Sequence, residues 1–202
     1  LDQYLTVPGD IDPIPVEFRT THPKNYTHIG HGMPKTTRKQ IRWERQKKSI
    51  ATTDIAGQSQ FRNMWVEDML GRNVEVVIYM VDHRSLTSLQ FTMDAVAGFE
   101  YLIDNITNKS ISTAISRKAK KQSKKYTPRV VCLLINKMDI WWDQDAEKLY
   151  SHDLLREHQI ASPFRNGLKR LRKAGIRAEV SPISAQHGIN VTKIFGDLIA
   201  DL

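Results

Sequence analysis

Apolar positions recur along this chain with two different periods, and the alternation between them predicts the fold. Val74–Val81 (VEVVIYMV) and Val130–Ile135 are short, nearly continuous apolar runs. Runs of that length suit parallel strands covered on both faces. Ala178–Ile183 is predicted as another strand. Between these runs the spacing turns helical. Phe61, Met64, Trp65 and Met69 recur at helix spacing over Phe61–Leu70, which Gly71 stops. Ser88–Ile106 is an amphipathic helix built on Leu89, Val96, Phe99, Leu102, Ile103 and Ile106. Asp145–Gln159 and Ser162–Lys173 are also predicted helices, the second carried by Phe164, Leu168 and Leu171 and closed by Gly175. Val191–Leu202 is a last helix with Val191, Ile194, Phe195, Leu198 and Ile199 inward. Strands alternating with helices predict an open α/β sheet with helices on both faces.

The first third of the chain reads differently. Leu1–Leu5 has the character of a helix tail, halted by Pro8-Gly9. Thr6–Lys35 carries prolines at 8, 13, 15, 23 and 34 and predicts a long extended loop. Lys39–Glu44 and Ser49–Thr53 then read as two strands of a hairpin that delivers Asp54 at a strand end. With 202 residues, 40% of them hydrophobic and 26% charged, the chain is long and apolar enough for one globular domain. Its single cysteine, Cys132, lies in an apolar run and is expected to be a buried small hydrophobe. No apolar stretch approaches the roughly 18 residues that a membrane-spanning helix needs. The net charge of +8 is concentrated in Arg117–Lys125, within a basic Thr107–Thr127 insertion, and in Lys169–Lys173. These runs suit either a solvated surface or contact with an anionic partner such as nucleic acid or a peripheral membrane face.

Three short motifs carry the candidate chemistry, and each begins at the carboxyl end of a predicted strand, where open α/β sheets bind ligands. The first is Asp54-Ile55-Ala56-Gly57-Gln58. A carboxylate at Asp54 can hold Mg2+ through oxygen, often by way of a water. Gly57 lets the backbone N–H approach a phosphate closely. Gln58 can orient a water without ionising. A plain strand-ending turn would use the same residues. The second motif, Asn136-Lys137-Met138-Asp139, is more specific. Asp139 is acceptor-only and can take both the ring N–H and the exocyclic amine of guanine, donors that adenine does not pair on that edge. Lys137 offers an aliphatic stem to the face of a base, and Asn136 can tie loops together. The third, Ser184-Ala185-Gln186, can present a backbone N–H to a base carbonyl.

In this order D-x-x-G-Q, N-K-x-D and S-A-x resemble the motifs of the Ras-like small GTPases, a branch of the P-loop GTPases with Ras, Rab and Arf members. The resemblance covers about Thr36 to Leu202. It implies a three-layer P-loop GTPase fold with a mostly parallel sheet of about six strands, GTP or GDP with Mg2+, and two switch segments that rearrange on hydrolysis. Protein effectors or a GTPase-activating protein would be the partners, and the cytoplasm the location. Carried over by motif, Asp54 belongs to the metal, Gly57 to the γ-phosphate and Gln58 to water positioning. Asn136, Lys137, Asp139, Ser184, Ala185 and Gln186 belong to the base site. Thr36 and Thr37 stand where the family places its switch threonine on Mg2+, although Thr20, Thr21 and Thr27 share the same long loop.

One family part is missing. No G-x-x-x-x-G-K-[ST] phosphate loop occurs in the sequence, and Gly32–Thr37 does not replace it, because Pro34 precedes the lysine and offers no N–H. Two expectations follow. Either the first strand and phosphate loop lie upstream of Leu1, with residues 1–5 the remnant of the first helix, or the chain is a pseudo-GTPase that uses the fold as an interaction scaffold.

Overall fold

The computed structural model describes residues 24–29, 49–54, 59–71, 74–108 and 127–200. They belong to two compact units. The larger, 58–182, is built on a parallel sheet of β3 (Val76–Asp82), β4 (Val130–Asn136) and β5 (Arg177–Pro182), in that spatial order. The register pairs Val76 with Val130, Asp82 with Asn136, and Val130 with Arg177. The α/β character is therefore as the apolar runs predict. Val130–Ile135 is buried at every position, which fits a central strand bonded on both edges and covered on both faces.

Helices of this unit are α1 (Arg62–Gly71), the short α2 (Arg84–Thr87), α3 (Leu89–Thr107), the short α4 (Met138–Trp141), α5 (Gln144–Ser151) and α6 (Arg165–Lys173). Short 3-10 segments, Ser59–Phe61 before α1 and Leu155–Glu157 and Gln159–Phe164 before α6, lead into these helices. Val131, Leu133 and Ile135 of β4 join Phe99, Leu102 and Ile103 of α3 and Leu168 and Leu171 of α6 in one core. The two helices fit closely. Phe99 meets Phe164 edge-on at 5.4 Å, and a Cβ on Gly167 would stand 2.7 Å from the Phe99 ring. Arg170 of α6 then spans to Glu100 at 2.7 Å and to Asp104 on α3.

Helix ends follow from local chemistry. Gly175, in the left-handed region at φ 78°, closes α6, with Ile176 N–H on the Leu171 carbonyl and Gly175 N–H on the Arg172 carbonyl. Asp143 caps α5, its Oδ1 accepting from Ala146 N–H at 2.7 Å. The helix expected over Asp145–Gln159 stops at Ser151. Asp153 at φ 57° turns the chain, and 3-10 turns carry it on to α6. Leu89, expected inward, is 79% exposed at the first position of α3; Leu86 in α2 packs against the core instead. Cys132 is fully buried, and burial pushes its thiol up to about 12.

The smaller unit comprises 1–57 and 183–202. Its strands β1 (Lys24–Ile29) and β2 (Ser49–Asp54) pair antiparallel, Lys24 opposite Asp54 and Ile29 opposite Ser49. The loop expected over Thr6–Lys35 thus contains a strand. The prolines at 23 and 34 flank Lys24–Ile29 without entering it, so its N–H groups stay available for the ladder. The other predicted hairpin strand, Lys39–Glu44, lies outside the described residues, as do Leu1–Leu5 and the core of the basic insertion, 109–126. An isolated bridge joins Ser184 to Ile189, followed by α7 (Val191–Ala200), in which Val191, Ile194, Phe195 and Leu198 are buried.

Candidate functional site

The turn that leaves β4 is the best-defined feature among the candidate residues. Asn136 is the last residue of the strand, in register with Asp82 at the end of β3. Lys137 follows at φ 59°, ψ 43°, in the left-handed region. Among the described residues the other non-glycine ones with positive φ are Asp153 and Asn190, whose short polar side chains tolerate that conformation. Lysine does not, and such a residue costs on the order of 1–3 kcal/mol unless its surroundings over-determine it.

The surroundings do so. The peptide between Asn136 and Lys137 has both polar groups held by side chains. Its N–H donates to Asn136 Oδ1 at 2.8 Å, and its carbonyl accepts from Trp141 Nε1 at 3.0 Å. Ile140 N–H bonds the Lys137 carbonyl and Trp142 N–H bonds the Met138 carbonyl, closing the single turn of α4. Lys137 Nζ reaches Asp82 Oδ2 at 2.7 Å, while Asp82 Oδ1 accepts from Arg84 N–H at 2.8 Å. At that half-buried position the ion pair contributes about 0.2–1 kcal/mol, enough to set the direction of the lysine stem rather than to hold the fold. Met138 is buried, and Asp139 after it is exposed. The result is a lysine stem whose head is tethered to Asp82 and, two residues on, an exposed aspartate. Such a carboxylate can accept a pair of N–H donors from a flat heterocycle while the stem covers one of its faces.

Behind the turn lies an aromatic stack. Trp141, 8% exposed, packs on Trp142 at 5.6 Å and on the His158 imidazole at 6.0 Å; Trp142 packs on Tyr150 at 5.7 Å. His158 Nδ1 accepts from Ile160 N–H at 3.3 Å, which places the ring proton on Nε2, 3.4 Å from Asp143 Oδ1. That separation is too long for a good hydrogen bond, and Nε2 has no bonded partner among the described residues. The Ala146 N–H, with help from the neighbouring imidazole, holds the Asp143 carboxyl below its usual range.

The remaining candidates are placed as follows. β2 ends at Asp54, so the first motif does begin at a strand terminus; Thr36, Thr37, Gly57 and Gln58 lie outside the described residues. Ser184 is 1% exposed, and its N–H and carbonyl both bond Ile189, at 3.2 and 3.1 Å. Its Oγ has no partner among the described residues. Ala185 is half-buried and Gln186 exposed in the turn that follows. Among the described residues no group of three or more His, Cys, Asp or Glu side chains is arranged to hold a metal, and no helix is long and apolar enough to cross a membrane.

Sequence reasoning missed Asp82, Trp141 and His158. Asp82 had a signal, since it ends an apolar run as Asn136 does. Trp141 and His158 act through a turn and a stack that no spacing rule encodes. Compared with known proteins, the chain matches no family model, no curated protein and no solved structure.

Proposed function

We propose that this chain is a guanine-nucleotide-binding switch of the Ras-like type, which binds GTP and GDP and hydrolyses GTP slowly. The turn after β4 carries the proposal. A lysine forced into the left-handed region, with both groups of the preceding peptide held and an exposed aspartate two residues on, is a costly arrangement that folding alone does not require. In this reading Asp139 accepts the ring N–H and exocyclic amine of guanine, and the Lys137 stem, tethered to Asp82, lies against the base. Motif order assigns Ser184 and Ala185 to the base carbonyl, Gly57 to the terminal phosphate, Asp54 with Thr36 or Thr37 to Mg2+, and Gln58 to the attacking water. Bound Mg2+ would neutralise phosphate charge. The output would be a change in the loops around Gln58, read by a protein partner.

Two charge-assisted hydrogen bonds to Asp139 would favour guanine over adenine by about 3–6 kcal/mol, on the order of a hundredfold or more in affinity. The test is a competition titration on the full-length protein with a fluorescent GDP analogue displaced by GDP, ADP or xanthosine diphosphate. Wild type should prefer GDP, and Asp139→Asn should lose that preference and gain affinity for xanthosine diphosphate, whose 2-oxo group meets the new amide donor. Equal affinity for GDP and ADP in wild type would sink the assignment. No nucleotide binding at all would favour the scaffold alternative.

A further inference from the structure

Resting on the base-site reading above, we infer that Trp141 is a positioning residue for guanine recognition, acting as a lock on the peptide between Asn136 and Lys137. A peptide plane can flip only if its carbonyl and N–H exchange directions together, and here each is tied by a different side chain. Asn136 Oδ1 holds the N–H at 2.8 Å, and the Trp141 indole reaches back over the turn to hold the carbonyl at 3.0 Å. The orientation of that plane sets φ of Lys137, and φ of Lys137 sets where its stem runs and where Asp139 begins its turn.

Asn136 cannot provide this lock alone, because its bond is made within its own residue pair and could follow the plane as it turns. The indole cannot follow. It is 8% exposed, wedged between Trp142 and the buried His158 ring, and Tyr150 backs Trp142 in turn. His158 is itself held by Ile160 N–H and stands beside the carboxylate that caps α5. The indole N–H is thus a fixed point in space relative to the end of β4. Its loss would free the plane to sample the flipped state and remove Lys137 and Asp139 from register with a base for part of the time. Affinity would fall by that fraction.

Trp141→Phe keeps an aromatic ring in the stack and deletes the donor, together with part of the buried indole's volume. One neutral hydrogen bond corresponds to roughly a threefold to tenfold change in an equilibrium, so GDP should bind Trp141→Phe about threefold to tenfold more weakly than wild type. ADP, which makes no paired contact with Asp139, should be affected less than twofold, so the GDP-to-ADP ratio falls. Leu171→Ala, a cavity in the core of α6 far in the chain from the turn, is the control for instability. It should lower the melting temperature and leave the ratio as in wild type. A second measurement keeps the wild-type fold: with 5-fluorotryptophan incorporated, the Trp141 fluorine resonance should shift on saturation with GDP and not with ADP at the same concentration. Wild type with no GDP preference would overturn the base-site reading and this inference with it. Wild type with a clear preference, but a Trp141→Phe ratio within twofold of wild type or a Trp141 resonance indifferent to GDP, would overturn the inference alone.

Discussion

Replacing Gly98 with alanine adds one methyl group at a crowded place in α3, and the outcome can be worked from the neighbours. The new Cβ would stand 2.5 Å from Tyr79 Oη and 3.3 Å from the Trp65 ring. The Tyr79 hydroxyl cannot simply turn aside. It donates to the Ala95 carbonyl at 2.8 Å, its ring leans on Phe99 at 5.2 Å, and it is buried enough that its pKa is pushed up to about 12. Alanine gains about 1 kcal/mol of helix propensity over glycine. Against that stand about 1–3 kcal/mol of overpacking strain and about 1 kcal/mol for the displaced hydrogen bond. The net expectation is a loss of about 1–3 kcal/mol, a fall of about 3–10 °C in melting temperature for a chain of this size. Thermal and urea unfolding followed by circular dichroism measure it, and the double variant Tyr79→Phe/Gly98→Ala supplies the internal check. Removing Oη makes room for the methyl, so the two changes should couple favourably by about 1 kcal/mol or more. If Gly98→Ala is as stable as wild type, or if the double variant is simply additive, the packing argument at this crossing is wrong.

Further outcomes follow from burial and charge. Cys132, fully buried with its thiol pKa raised to about 12, should resist a thiol reagent such as DTNB at pH 8 in the native protein. Its labelling rate should rise in step with the unfolded fraction across a urea series, and rapid labelling without denaturant would refute the burial. Asp143 has a carboxyl pKa lowered first by the Ala146 N–H, so its contribution to stability is present above the ordinary carboxylate pKa and is lost as pH falls through the lowered value. Asp143→Asn keeps an acceptor for the cap and removes the charge. Its stability deficit at pH 6 should close as the pH drops below about 4; a deficit unchanged at pH 2.5 would exclude the charge as its cause.

What the sequence made legible was whatever repeats locally. Val130–Ile135 announced a buried strand because every position is apolar, and Gly175 announced the end of α6 because only that residue takes φ 78° freely. Lys24–Ile29 was obscured because prolines on both sides gave the whole stretch the composition of a loop. Leu89 was misread because helical spacing says which residues share a stripe but not where the stripe runs past its support. The same division holds at the candidate site. Asn136, Lys137 and Asp139 stand out because four adjacent residues spell a pattern at a strand end. Asp82 reaches Lys137 across a sheet register, and His158 reaches Trp141 from a 3-10 turn, so both depend on tertiary pairing that periodicity does not carry.

If the turn after β4 binds a base as proposed, the position of β4 bears on how long that base would stay. Its backbone is bonded to β3 on one side and β5 on the other, and Val130–Ile135 has almost no access to water. Amides in such a strand exchange with solvent only when the unit opens as a whole. The turn after β4 is therefore anchored at its first residue, Asn136, to a strand bonded on both edges and buried along Val130–Ile135. Residence time at the base end would then be governed by the contacts themselves and not by local unfolding.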